Sequence, residues 1–214
     1  VCLVLTILRQ NLPQTVAGDL FGASQPTVSR VWRCLLPLLE QVTCLHRPGE
    51  LEDLARGRIV LVDGALVPTR RFAPAWASNY SGKHRRHGVS IQVAATETGC
   101  LLAVSEPVPG RRHDRRAVAE TGWEAALDGA CWVADPAYQG TTALTPEKRR
   151  PGQDLTREQW TNNAFLATLR APVERAIAYL KNWKILSTGY RGRLRELPAV
   201  IRIVSALEFY RLGW

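Results

Sequence analysis

Three carboxylates, Asp63, Asp135 and Glu174, stand where a cation could be held. Asp63 follows the β-branched run of RIVLVDG, and Asp135 follows the apolar run of CWVADPAYQG. An ionised carboxylate at the end of a buried strand is costly unless something positive meets it. Ligands of open α/β sheets sit at the carboxyl ends of the strands. If these two strands are neighbours and point the same way, their acids meet, repel and must share a cation. A few hard oxygen ligands, with room left for water and phosphate, suit Mg²⁺. Glu174 lies in LRAPVERAIAYLKNWK between Arg170 and Lys181 at helical spacing, beside an apolar face of Val173, Ile177 and Leu180. Pro172 is expected to kink that helix or to start a new one. Each acid also has a plainer reading: Asp63-Gly64 and Asp135-Pro136 can open turns, and Glu174 can be a solvated helix residue.

The elements that must position these acids follow from periodicity. HGVSIQVAATETG alternates Val89, Ile91 and Val93 against Ser90 and Gln92, as a strand does, and Thr98-Gly99 turns it into a hairpin partner, CLLAVSEPVPG. Residues 114–128 read as a helix weakened at Gly122, CWVAD as a strand and 139–160 as loop. Asn162 to Lys184 and Leu194 to Leu212 read as helices. This order predicts an α/β domain over residues 56–214 with a mixed sheet. Residues 1–48 read as a separate helical region, the boundary falling in the polar stretch from His46 to Gly57, with Pro48-Gly49 inside it. Within that region Gln14–Phe21 and Gln25–Leu39 are two apolar-striped helices around Gly22-Ala23-Ser24. Ser24 is placed to cap the second, and Pro26 falls in its first turn. This is a helix-turn-helix pattern, or else a helical hairpin without a ligand. In the first case Gln25, Thr27, Ser29 and Arg30 face the DNA major groove.

The chain has 214 residues, 28 Lys+Arg against 19 Asp+Glu, and a net charge of +9, which suits a polyanionic partner. No apolar run is long enough for a membrane span, and the opening VCLVLTIL lacks the layout of a signal peptide. The five cysteines show no finger spacing, which points to reduced thiols and a cytoplasmic setting. There is no Met, so the sequence is expected to be a fragment of a longer reading frame.

Five stretches in order resemble one family: LVDGALVP, YSGKHRRHGVSIQV, VPGRRHDRRAV, VADPAYQG and NNAFLATLRAPVERAIAYLKNWKIL. The chain is similar to bacterial insertion-sequence transposases of the DDE superfamily, in the group related to the Harbinger elements. The spacing fits that group: 72 residues separate Asp63 from Asp135, and 39 separate Asp135 from Glu174. The resemblance implies a ribonuclease H-like fold preceded by a helix-turn-helix. It implies catalysis by Asp63, Asp135 and Glu174, holding two Mg²⁺ ions that Mn²⁺ can replace, with His113, Asp114 and Tyr138 in support. The implied partner is double-stranded DNA, both element ends and target, bound by a homodimer or larger assembly and without a membrane. Lys83, Arg85, Arg86, Arg111, Arg112 and Arg115 would grip its backbone, with Arg170 and Lys181 nearer the metals. Where family members carry a polar or basic residue and then Gly after the second Asp, this chain has Pro136 and Ala137; a left-handed backbone there would strain Ala137. Two other readings share these residues: a catalytically dead copy that only binds DNA, and a nuclease that cuts without joining strands.

Overall fold

Apolar residues three and four apart build the helices, and β-branched runs build the strands. The computed structural model describes residues 1–46, 49–70 and 77–213. Its elements are α1 (Cys2–Gln10), α2 (Gln14–Phe21), α3 (Gln25–Thr43), α4 (Leu51–Ala55), β1 (Ile59–Pro68), β2 (Tyr80–Ser81), β3 (Arg86–Thr96), β4 (Leu101–Val104), β5 (Val108–Pro109), α5 (Asp114–Glu120), α6 (Trp123–Ala126), β6 (Cys131–Val133), α7 (Arg157–Lys181), α8 (Lys184–Ser187) and α9 (Leu197–Leu212). Pro48, part of the expected boundary, lies outside the described residues.

The strands form one mixed six-stranded sheet in the order β2-β3-β1-β6, with β4 and β5 also on β3. β1 pairs antiparallel with β3 and parallel with β6. Helices cover both faces. Leu61, Ala65 and Val67 of β1 pack with α1–α3 and α7–α9, whereas Val60 and Val62 pack with α4–α6. Period-two alternation therefore sends Asp63 toward the α7 side and Gly64 toward the α5 side.

Two expectations are corrected. β1 does not stop at Asp63-Gly64; it runs five residues further, to Pro68, because β3 pairs with it throughout. Pro172 neither ends nor starts a helix, and α7 passes through it over 25 residues. The missing N–H removes one rung of the helix, a loss the flanking turns absorb.

The two helices of the helix-turn-helix form as expected. Ser24 occupies the N-cap position of α3 with extended backbone, but its hydroxyl pairs with the Thr27 hydroxyl and caps no backbone N–H. Pro26 lies in the first turn, and the turn folds so tightly that a Cβ on Gly18 would stand 2.3 Å from the Ala23 carbonyl oxygen. It does not stand apart from the rest. Val4, Leu8, Ala17, Val28, Trp32 and Leu36 join the same core as α7 and α9. Trp32 Nε1 donates to Glu196, and Arg202 of α9 bridges Glu40 of α3 to Glu106. The two regions therefore pack as one body through α3 and α9.

Candidate active site: two aspartates where paired parallel strands part

Leu61 of β1 stands opposite Val133 of β6 on parallel strands, and Asp63 and Asp135 each follow two residues further on, close enough that the charge of Asp135 acts on Asp63. β6 has ended by then while β1 continues, which leaves a notch in the sheet edge with both carboxylates in it. Asp63 is half-buried, and its Oδ1 accepts from the Gly64 N–H at 2.8 Å. Burial raises its pKa above the ordinary carboxylate range; the Gly64 N–H and the Arg170 guanidinium pull it back, and the negative charges of Asp135 and Asp114 push it further up. The Asp63 carboxylate thus sits where its charge is disfavoured, first by burial.

Asp135 has two roles. Its Oδ1 accepts from the Ala137 N–H at 2.8 Å and caps the 3₁₀ turn Pro136–Tyr138, and its position holds it beside Asp63. Ala137 is not strained. The described non-glycine residues with positive φ are Asn11 and Arg85, so the Pro136-Ala137 departure leaves the backbone of Asp135 ordinary.

Asp114 comes closer to Asp63 than a supporting role implied. It is the first residue of α5, after the N-cap His113, and it does not cap that helix. Its carboxylate instead takes the Lys83 ammonium at 3.1 Å. Burial alone would lower the pKa of Lys83, but Asp114, with Asp135 and Asp63 behind it, raises it. Gly64 makes this approach possible. A Cβ there would lie 2.6 Å from Asp114 Oδ1 and 3.4 Å from the Tyr138 hydroxyl. Gly64→Ala should therefore push Asp114 off Lys83. The expected cost is about 1–3 kcal/mol of stability and roughly 10²-fold in DNA nicking. Thermal denaturation and a nicking assay read the two effects, and wild-type values for both would remove Gly64 from the site.

Tyr138 is buried, and its hydroxyl donates to Gln92 Oε1 across the sheet. Burial, then Asp114, Asp63 and Asp135, raise its pKa far above the usual phenol range, so it stays protonated and holds the floor of the notch. Gln92 is absent from the sequence expectation; its signal was a polar residue inside an otherwise apolar strand.

Glu174 is exposed on α7. By helical spacing it shares a face with Arg170, which acts on Asp63, and with Lys181, which acts on His84. The structure brings the charges of Asp63, Asp135, Asp114, Lys83 and Arg170 together. Among the described residues no three His, Cys, Asp or Glu side chains are close enough to hold one ion. The oxygen donors of Asp63 and Asp135 are nevertheless of the kind that suits a hard divalent cation.

The basic residues divide. Arg112 and Arg116 are tied to Glu120, and Arg115 donates to the Gly140 carbonyl. Arg111, with Lys83 and His84, lines a hollow of about 250 Å³ beside Gly64 and Asp114. Arg85 and Arg86 make no ion pair among the described residues. On α3, Gln25 bonds Gln14, Thr27 bonds Ser24, and Arg30 rests on Thr27 Oγ1, while Ser29 is half-buried.

A family model described as DDE superfamily endonuclease matches residues 62–208, a span holding all three acids. The chain belongs to the DDE superfamily of endonucleases. A second model, the helix-turn-helix of DDE superfamily endonuclease, matches residues 1–45 and so takes in α1 as well. The endonuclease is 33% identical over 186 residues to a putative transposase for insertion sequence element IS112 of Streptomyces albus G, covering 86% of this chain and 68% of that protein. It is 27% identical to a probable transposase for insertion sequence element IS702 of Microchaete diplosiphon, across all of this chain and 80% of that protein. Endonucleases of this superfamily are metal-dependent, and the helix-turn-helix implies DNA binding. No described helix is long and apolar enough to cross a membrane.

Proposed function

We infer that this endonuclease is an insertion-sequence transposase that cuts DNA at its element's ends and joins the freed ends to a target. The observation that supports this reading is the parallel pairing of β1 with β6 up to Leu61 and Val133, with Asp63 and Asp135 each two residues further on and the charge of Asp135 acting on Asp63. Two Mg²⁺ ions are the proposed cofactor, with Asp63 and Asp135 as fixed ligands and Glu174 as the third. When bound, such ions supply a water acidified for attack and charge to stabilise the leaving oxygen.

The chain's own groups do the positioning. Lys83 and Arg170 draw a backbone phosphate into the notch and offset its charge. Asp114 holds Lys83 there, and Tyr138 and Gln92 keep the floor dry. The start of α3, with Gln25, Thr27, Ser29 and Arg30, reads base edges in the major groove. Because α3 is packed on α9, the bases it reads lie at a set distance from the notch. Acting on two element ends calls for at least a homodimer on double-stranded DNA.

Strand transfer separates this reading from that of a plain nuclease. Pre-nicked duplexes carrying the element's ends, incubated with supercoiled plasmid and Mg²⁺, should yield joined products. Cutting of intact ends without any joining would support a nuclease instead.

A further inference from the structure

Two depressions that share Arg70 and Arg191 lie between α3 and the β2–β3 hairpin. The one nearer the hairpin, about 550 Å³, is lined by Thr69, Arg70, Arg85, Arg86, His87 and Arg191 among others, and by no acid. None of these four arginines makes an ion pair among the described residues. Two of the lining residues each hold a buried atom, Thr69 Oγ1 and His87 Nδ1, without a hydrogen-bond partner. Buried polar atoms ordinarily have one. Arg85, moreover, is held at a φ of 51°, which costs a non-glycine residue about 1 kcal/mol or more. A merely solvated basic face would leave no orphaned hydroxyl and imidazole, and would not need a strained arginine.

The position is informative too. Thr69 donates its N–H to His87 on the β3 edge of β1, and Tyr190 pairs beside it on the other edge, the edge that carries β6. The depression therefore spans the far end of β1, beyond the strand residues that follow Asp63. Six residues of strand separate Asp63 from Thr69, roughly 20 Å at about 3.3 Å each. That is about six base-pair steps of duplex at about 3.4 Å. On its other side, Arg70 and Arg191 line the cleft that reaches Gln25, Ser29 and Arg33 of α3.

We propose that this arginine depression is a DNA-phosphate site, with Arg70, Arg85, Arg86 and Arg191 as its anion ligands, that holds the duplex between α3 and the Asp63–Asp135 notch. It thereby fixes which phosphodiester is cut relative to the bases α3 reads. The proposal rests on the transposase reading for its consequence, though not for the phosphate contact itself.

The test uses the full chain and two probes, a labelled duplex carrying the element's end and an unrelated duplex of equal length. Binding is measured against salt for wild type, Arg70→Gln/Arg191→Gln and Arg85→Gln/Arg86→Gln, the two pairs approaching the depression from opposite sides. The slope of log affinity against log salt should become shallower by about one to two in each double variant. Because phosphate contacts carry no sequence, the loss should be alike on both probes. On the element end, the single wild-type nick should spread over neighbouring phosphodiesters. Unchanged slopes in both variants would overturn the proposal, as would a loss confined to the element-end probe. If wild type cuts neither probe, the transposase reading fails, while the slopes still decide the phosphate site.

Discussion

Asp63→Asn will lose DNA nicking by a factor of about 10³ or more and will gain thermal stability at neutral pH in EDTA. The loss follows from removing one of two fixed ligands at the reacting phosphate. The gain follows from linkage. The folded pKa of Asp63 is raised, first by burial and then by Asp135 and Asp114. The folded state therefore holds that proton to higher pH than the unfolded chain does. Stability from this group is fully present below the ordinary aspartate range and is lost as pH rises through the raised value. Asn carries no such charge, so the variant lacks that decline. Mg²⁺ acts oppositely, stabilising wild type at neutral pH by binding only the folded state. At a concentration tenfold above Kd this is about 1.4 kcal/mol, or roughly 3–6 °C in Tm for a chain of this size. The variant should show almost none of that shift. Scanning calorimetry from pH 4 to 8, with and without Mg²⁺, reads every part. A variant destabilised at neutral pH, or one that keeps the full Mg²⁺ shift, would mean Asp63 is not the strained ligand described.

Glu174→Gln separates the third acid from the first two. Its side chain is exposed on α7, one turn past Arg170. The Mg²⁺-induced Tm shift without DNA should thus survive Glu174→Gln nearly intact. Nicking should still fall by about 10²-fold or more, because the third ligand is needed once DNA occupies the notch. This pattern, binding kept and cutting lost, differs from that of Asp63→Asn, which loses both. A Glu174→Gln variant that cuts at the wild-type rate would pass the third role to Asp114, whose carboxylate already lies in the field of Asp63.

What the sequence made legible was local. Ser24, Pro26 and the Gly22–Ser24 break marked the turn between α2 and α3 because caps and first-turn prolines act within a few residues. The apolar run before Asp135 marked β6 for the same reason. The failures were tertiary. Asp63-Gly64 looks like a turn opener, yet Gly64 has no left-handed backbone and is needed because Asp114, fifty residues on, packs against it. Alternation in β3 marked a strand, but only the packing of helices on both sides of the sheet shows that Gln92 is buried. Likewise the order of Asp63, Asp135 and Glu174 along the chain was plain. That the first two follow paired parallel strands and the third is exposed on α7 depends on strand pairing and helix packing, which spacing alone does not carry.

The most direct measurement is nicking of a labelled duplex carrying the parent element's end, with Mg²⁺, Mn²⁺ or EDTA, by wild type and by Asp135→Ala. Wild type should cut at one position with either metal and not in EDTA, and Asp135→Ala should bind the duplex but leave it intact. Salt-sensitive binding by wild type with no cutting in either metal would contradict the account and leave the chain a DNA-binding protein.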